Sequence, residues 1–197
     1  MKSCSKRIIL GSGSPRRREL LAGLGVEFTV DTGNTFEESV PADAAPCEVP
    51  LLMSLGKSHG FHRPLEPDEL LITADTVVIL DGKVLGKPHS RQEAVEMLHT
   101  LSGRTHEVVS AVSFRTADGE QSITDSTMVH VSPLSDEEID HYIDTCKPFD
   151  KAGSYGVQEW LGYAAIGHIE GSFYNVMGFP THKVWQVLKE YQALGSM

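Results

Sequence analysis

The stretch from Ile8 to Leu21 constrains this chain more than any other. A short apolar run, Ile8-Ile9-Leu10, meets Gly11-Ser12-Gly13-Ser14-Pro15 and then Arg16-Arg17-Arg18-Glu19-Leu20-Leu21, which reads as strand, glycine-serine turn and helix. Ser14 suits the N-cap and Pro15 the first helical position, whose N–H needs no partner. Gly25 closes the helix after Leu20, Leu21 and Leu24 have supplied its buried side. The charge is the unusual part. A helix N-terminus carries roughly half a positive charge, so each arginine there costs about 0.3–1 kcal/mol unless an anion offsets it. Gly11 and Gly13 admit a ligand close to the backbone, and Ser12, Ser14 and the free amides donate to it, which describes a phosphate cradle. Successive helical side chains diverge by about 100°, so at most two of the three arginines face one ligand. A solvated basic first turn after a tight βα loop would use the same residues.

Composition narrows the partners. The chain has 197 residues, 40% of them hydrophobic and 22% charged, which suits one compact α/β unit over residues 1–197, with one generous core or two small lobes. The net charge of −10 argues against nucleic acid held by bulk electrostatics, and the local concentration of positive charge suits a small anion. Cys4, Cys47 and Cys146 are widely spaced, so neither a disulfide framework nor a zinc site is signalled. No apolar run approaches the roughly 20 residues needed to cross a bilayer, and no signal-peptide core follows the N-terminus. A cytoplasmic protein without membrane contact is expected.

Along the chain, Glu27 to Asp31 reads as a strand and Thr32 to Pro46 as a polar connection carrying Glu37 and Glu38. Glu48 to Phe61 reads as a helix entered at Pro50, with Leu51, Leu52, Leu55 and, less regularly, Met53 as its apolar positions and Lys57 in its last turn or two, where it would also suit the dipole. Leu70 to Leu80 is a near-continuous apolar run followed by Asp81-Gly82 and Lys83-Val84-Leu85, which predicts a central strand and a type I′ hairpin. Ser90 to Ser102 is a helix with a Ser90/Glu93 capping box and a Gly103 stop. Residues 105–116 and 120–131 form a second hairpin around Asp118-Gly119 with alternating polarity in both arms. Ser135 and Glu138 repeat the capping box at the start of a helix to Asp144. An irregular loop from Lys147 to Gln158, short strands at 164–169 and 173–177, and a helix from Pro180 complete the order.

The central apolar run contains a misfit, Asp75, between Ala74 and Thr76. A carboxylate in a buried strand costs several kcal/mol unless it is hydrogen-bonded, paired or bound to a cation. Asp75 is therefore a functional candidate, although an aspartate capping a bulge at the end of a shorter strand would also fit. Lys87 is bracketed by Gly86 and Pro88, and the loop from Phe149 to Gln158 sets an acid, a base and an amide among glycines. That loop also suits a turn-rich connection. Together these features describe a phosphorylated ligand with a divalent cation better than they describe any reaction.

The same residues resemble a known family. Gly11-Ser12-Gly13-Ser14-Pro15-Arg16-Arg17 with Glu19-Leu20-Leu21, Ala74-Asp75-Thr76-Val77-Val78, Gly86-Lys87-Pro88, Leu101-Ser102-Gly103 with Thr105-His106, Asp150-Lys151-Ala152-Gly153 with Tyr155-Gly156-Val157-Gln158, and Gly171-Ser172 through Asn175-Val176 to Gly178 and Pro180 resemble the Maf family of nucleoside triphosphate pyrophosphatases. The resemblance spans nearly the whole chain. It implies an elongated mixed α/β molecule with helices around a central cleft, related to inosine triphosphate pyrophosphatases and often a homodimer. It implies hydrolysis of a nucleoside triphosphate to the monophosphate and pyrophosphate with Mg²⁺ or Mn²⁺.

The Asp-Lys-Ala-Gly and Tyr-Gly-x-Gln forms resemble the branch acting on dTTP and UTP, whereas the branch acting on 7-methyl-GTP has a glutamate at the position of Gln158. By that resemblance Asp75 is the proton acceptor, and Arg16, Thr76 and Gln158 bear on substrate choice; the chemistry of attack at phosphorus also makes Asp75 a candidate metal ligand. Ser12, Ser14, Arg17, Lys57, Lys87 and Lys151 are phosphate-binding candidates, Ser14 from its place in the anion cradle rather than from the family pattern. One departure stands out: Glu159 follows Gln158 where the family more often has glycine, and an added carboxylate there can alter base preference. A different class of function also fits the cleft, a nucleotide-binding regulator of cell division that senses triphosphates without turning them over.

Overall fold

Three consecutive apolar residues in Arg7–Leu10 form the first strand, β1, and all three are buried. The chain then turns through Gly11 into a helix, α1 (Pro15–Gly23), which returns to a short strand, β2 (Phe28–Val30). The β1 strand lies parallel to β2 in the register Ile8 to Phe28 and Leu10 to Val30. On its other edge β1 lies parallel to β3 (Glu69–Leu80), with Ile8 opposite Leu70 and Leu10 opposite Ile72. The structure, a computed structural model, describes residues 6–41 and 43–191; the expectations for Cys4 and the first residues of the N-terminus lie outside that range.

The remaining elements are α2 (Val49–His59), β4 (Lys83–Leu85), α3 (Arg91–Leu101), β5 (Thr105–Arg115), β6 (Glu120–Val131), α4 (Asp136–Cys146), α5 (Trp160–Ala165), β7 (Ile166–Glu170), α6 (Phe173–Val176) and α7 (Thr181–Glu190). The sheet order is β2-β1-β3-β5-β6-β7, with β4 on β3, and the sheet is mixed because β4 and β7 pair antiparallel with β3 and β6. β3 is therefore central, as its unbroken apolar run requires. No described helix is long and apolar enough to cross a membrane. By contact density the residues divide into two units. Among the described residues, the first takes in those of 6–75, 110–125 and 178–191, and the second 76–109 and 126–177.

Local signals were obeyed where backbone chemistry alone decides. Ser14 caps α1 by accepting from the Arg17 N–H, and Gly25, just past the helix, takes a φ of +72°. Asp81 and Gly82 both have positive φ, 51° and 70°, as a type I′ turn demands. Ser135 and Glu138 form the full reciprocal box. At α3 only half of it forms. The Ser90 hydroxyl accepts from the Glu93 N–H, but the Glu93 carboxylate reaches back one residue further, to the His89 N–H.

Four expectations need correction. α2 buries Pro50, Met53, Ser54 and Ser58, leaving Leu52 exposed and Leu51 and Leu55 half-buried. The inward serines find partners: Ser54 Oγ meets Ser113 Oγ at 2.9 Å, and Ser58 Oγ donates to Glu120 Oε1. Satisfied hydroxyls can be buried at little cost, so this polar stripe outcompetes the leucine face. β5 does not alternate; it is buried from Val108 to Phe114, because it sits between β3 and β6 and Ser113 bonds Ser54 and Ser122. The strand expected at 164–169 is helix through Ala165 and strand only from Ile166. Residues 173–176 are helix, not strand: Ser172 caps the Asn175 N–H, and the Asn175 amide donates to Val108 O and Thr127 Oγ1. The aromatics that suggested a strand, Phe173 and Tyr174, are 42% and 50% exposed.

Candidate functional site

In the first unit the site begins with a strand-to-helix registration. Thr73 and Asp75 lie two residues apart on β3 and share a face, while Ser54 and Lys57 lie three apart on α2 and share another. Thr73 Oγ1 donates to Ser54 O at 2.8 Å, and that bond brings Lys57 Nζ to 2.8 Å from Asp75 Oδ1. Strand β3 continues through Asp75 without ending there, which disposes of the aspartate as the cap of a shorter strand. Asp75 keeps 16% of its side chain exposed.

Lys57 also bonds Glu38 Oε1, at 2.9 Å. Glu38 was missed as a site residue because its segment, 32–46, shows no periodicity. The missed signal lay in α2 instead. A Cβ at Gly56 would fall 2.3 Å from Phe36 Cζ, and one at Gly60 would fall 2.6 Å from Asn34 Oδ1 and from Phe36 Cβ. These glycines let residues 34–38 lie against the helix, and Asn34 Nδ2 donates to Lys57 O. An isolated glycine within a helical pattern marks such close approach.

The residues expected to form an anion cradle lie at the turn from β1 into α1, and one of them has another role. Gly11 donates to Ile72 O at 2.8 Å, and a Cβ there would come within 3.0 Å of Thr73 Cγ2, so this glycine serves packing against β3 rather than a ligand. A Cβ at Gly13 would meet only Thr32 Cγ2, at 3.8 Å. Nothing in the protein's own packing therefore requires Gly13. Arg17 is drawn inward: Nε donates to Gly178 O at 3.1 Å and Nη1 to Ser12 Oγ at 3.4 Å. Burial pushes its guanidinium pKa down, with the Asp75 carboxylate opposing that shift and Arg16 adding to it. Arg16 is half-buried and Arg18 exposed, in keeping with two inward arginines at most.

In the second unit, two distant motifs meet. Gly153 N donates to Gly86 O at 3.0 Å, which joins the Gly86-Lys87-Pro88 turn to the loop carrying Lys151. Gly153 has a φ of +67°, and a Cβ there would press Val78 Cγ2 at 3.0 Å, so glycine is required twice over. Lys87 is exposed and Thr76 half-buried on β3. Lys151 is buried, with Nζ 2.7 Å from Asp150 Oδ1 and 2.9 Å from Glu159 Oε1. Gln158 Oε1 is buried and has no hydrogen-bond partner among the described residues. Such an acceptor is costly unless a ligand donor meets it. Tyr155 is held from the far side by His106, whose Nε2 lies 2.6 Å from Tyr155 Oη. Burial holds the imidazole pKa down at about 4.

These features define a mixed α/β protein whose first unit sets a lysine-held carboxylate beside inward arginines, and whose second carries an unpaired amide acceptor. Comparison places it further. The model of the family described as Maf-like protein matches residues 7–191. The dTTP/UTP pyrophosphatase of Bacteroides thetaiotaomicron is 50% identical over 184 residues, covering 93% of this chain and 95% of that protein. The dTTP/UTP pyrophosphatase of Porphyromonas gingivalis is 49% identical over 187 residues, covering 94% of each. A solved HAM1 protein from Coxiella burnetii shares 11% identity with a TM-score of 0.48, over 94% of this chain and 99% of that one. The chain belongs to the Maf family.

Proposed function

We propose that this protein is a nucleoside triphosphate pyrophosphatase that hydrolyses dTTP and UTP to the nucleoside monophosphate and pyrophosphate. The observation that carries the chemistry is Asp75, a carboxylate in the middle of a buried strand, oriented by Lys57 at 2.8 Å and within the field of Arg17. The printed activity of relatives near half identity supports the same reading.

In the reaction a water oxygen forms a bond to the α-phosphorus and loses its proton to the Asp75 carboxylate. The bond from the α-phosphorus to the bridging oxygen breaks, and pyrophosphate leaves with the electron pair. In the first unit Arg16 and Arg17, with the Ser12 and Ser14 hydroxyls and Lys57, balance charge on the departing phosphates; in the second, Lys87 and Lys151 are the phosphate-binding candidates, Lys151 with two carboxylates already on it. Such preorganised cations stabilise a transition state by several kcal/mol where water is largely excluded.

A divalent cation fits the donors present. Magnesium is typically held by one or two carboxylates together with substrate phosphates and water, and Asp75 and Glu38 are two hard oxygen donors sharing one lysine. Asp75 would hold the ion, with Glu38 as the second candidate. When bound, Mg²⁺ or Mn²⁺ supplies Lewis-acid stabilisation of the phosphoryl oxygens.

Base choice rests on Gln158. An amide offers a donor and an acceptor, which match the O4 and N3–H of uracil or thymine, and the unpaired Oε1 is the acceptor that N3–H requires. Thr76 and Arg16 are the other positions assigned to substrate choice. The test is to incubate the pure protein with Mg²⁺ or Mn²⁺ and a panel of triphosphates, following pyrophosphate and phosphate separately. Pyrophosphate from dTTP and UTP is expected; binding without release would favour a regulator of cell division, and preference for guanine nucleotides would remove the base assignment.

A further inference from the structure

We infer that Glu159 is a positioning residue for base selection: it locks the 156–159 turn so that the Gln158 amide is held in one orientation, and it does not act as a negative charge on the base. The inference rests on the reading of Gln158 given above.

The Glu159 carboxylate has both oxygens occupied. Oε1 pairs with Lys151 Nζ at 2.9 Å, and Oε2 accepts from Tyr142 Oη at 2.5 Å. The Tyr142 hydroxyl in turn accepts from the Gly156 N–H at 2.9 Å. One phenol on α4 thus ties the backbone before Gln158 to the side chain after it. The turn is also closed by its own backbone, Glu159 N to Gly156 O at 3.0 Å.

Packing leaves the turn little freedom. A Cβ at Gly156 would lie 2.9 Å from Glu159 Cδ and 3.0 Å from Gln158 Nε2, so both side chains press on the same glycine. On the other side, a Cβ at Gly162 would lie 1.7 Å from Val157 O, which sets the start of α5 hard against the residue preceding Gln158. Burial and the Glu159 carboxylate both push the Tyr142 phenol pKa up, so it remains a donor. A half-buried carboxylate that meets an ammonium and a phenol is compensated. The fixed amide is what lets a single side chain discriminate, because a polar mismatch is penalised only where the group cannot swing away.

Glu159→Ala, Glu159→Gln and Tyr142→Phe would be compared with the unaltered protein in steady-state turnover of dTTP, UTP and GTP, and in hydrogen exchange at the Gly156 amide. Glu159→Ala is expected to raise KM for dTTP and UTP roughly tenfold with kcat nearly unchanged, the effect of a misplaced polar contact. GTP turnover should stay flat and Gly156 exchange should accelerate. Glu159→Gln keeps an acceptor for Tyr142 and should recover part of the loss. Tyr142→Phe should act in the same direction, and combining it with Glu159→Ala should add little. Unchanged KM and exchange in Glu159→Ala, or an equal rise in KM for GTP, would overturn the inference. If Glu159→Ala fails to fold, the milder Glu159→Gln decides by the same two readouts, since Tyr142→Phe removes the Gly156 acceptor itself. Gln158→Glu measured alongside separates the two readings: if it leaves base preference unaltered, the assignment of Gln158 fails, while Gly156 exchange still reports whether Glu159 locks the turn.

Discussion

At the scale of single residues, the roles divide by what each side chain already touches. Asp75→Asn keeps the shape of the carboxylate but cannot take a proton, so kcat should fall below detection while triphosphate binding, read by calorimetry, stays within about tenfold. Equal loss of both would make Asp75 an anchor for the metal instead. Arg17 and Arg18 should separate cleanly. Arg17 bonds Gly178 O and Ser12 Oγ, and losing a charge-assisted contact to phosphate costs about 1.5–3 kcal/mol, so Arg17→Ala should weaken triphosphate binding by roughly 10- to 100-fold. Arg18 is exposed, and Arg18→Ala should leave affinity unaltered in the same titration. Gln158→Glu replaces a donor–acceptor pair with acceptors alone. Most dTTP and UTP turnover should disappear, and any residual gain should fall on guanine nucleotides.

At the scale of elements, two helical glycines test packing against propensity. Glycine in a helix costs about 0.5–1 kcal/mol relative to alanine. Gly23, at the end of α1, has nothing within 4 Å of a Cβ, so Gly23→Ala should stabilise by a few tenths to about 1 kcal/mol in urea unfolding. Gly162 is the opposite case. Its Cβ would overlap the Val157 carbonyl at 1.7 Å, so Gly162→Ala should destabilise by more than about 2 kcal/mol or shift α5 outright, in spite of the better helix former. Similar logic explains α2, where Gly56 weakens the helix but, with Gly60 just past its end, lets residues 34–38 pack close and bring Glu38 to Lys57.

At the scale of the whole molecule, the buried ionisable groups set the response to acid. Burial lowers the His106 pKa from 6.5 to about 4, so between those values the unfolded chain binds the proton that the folded chain refuses. Stability is therefore fully present above about pH 6.5 and declines as pH falls toward 4, by about 3 kcal/mol in all. Glu69 acts in the same direction lower down. Arg63 holds its buried carboxyl below 4.5, so its contribution is present above that value and lost as pH falls. Urea midpoints measured from pH 7 to 4 should fall steadily, and His106→Gln should flatten the part above pH 4.5; an unchanged slope would show that His106 takes its proton in the folded state. Local chemistry was legible from the residues themselves: the strand-turn-helix at Ile8–Leu21, the Asp81-Gly82 turn, the Ser135/Glu138 box, and Asp75 as a carboxylate needing a partner. Those features depend on backbone geometry and on residues a few positions apart, where spacing alone determines the contact. Only the tertiary structure decided that Lys57 and Glu38 serve Asp75, that α2 turns its serines inward, that 173–176 is helix, and that Glu159 is matched by Lys151 and Tyr142. Each depends on partners 8 to 67 residues away, and a polar group's preference for burial is settled by whether such a partner arrives, which no local pattern records.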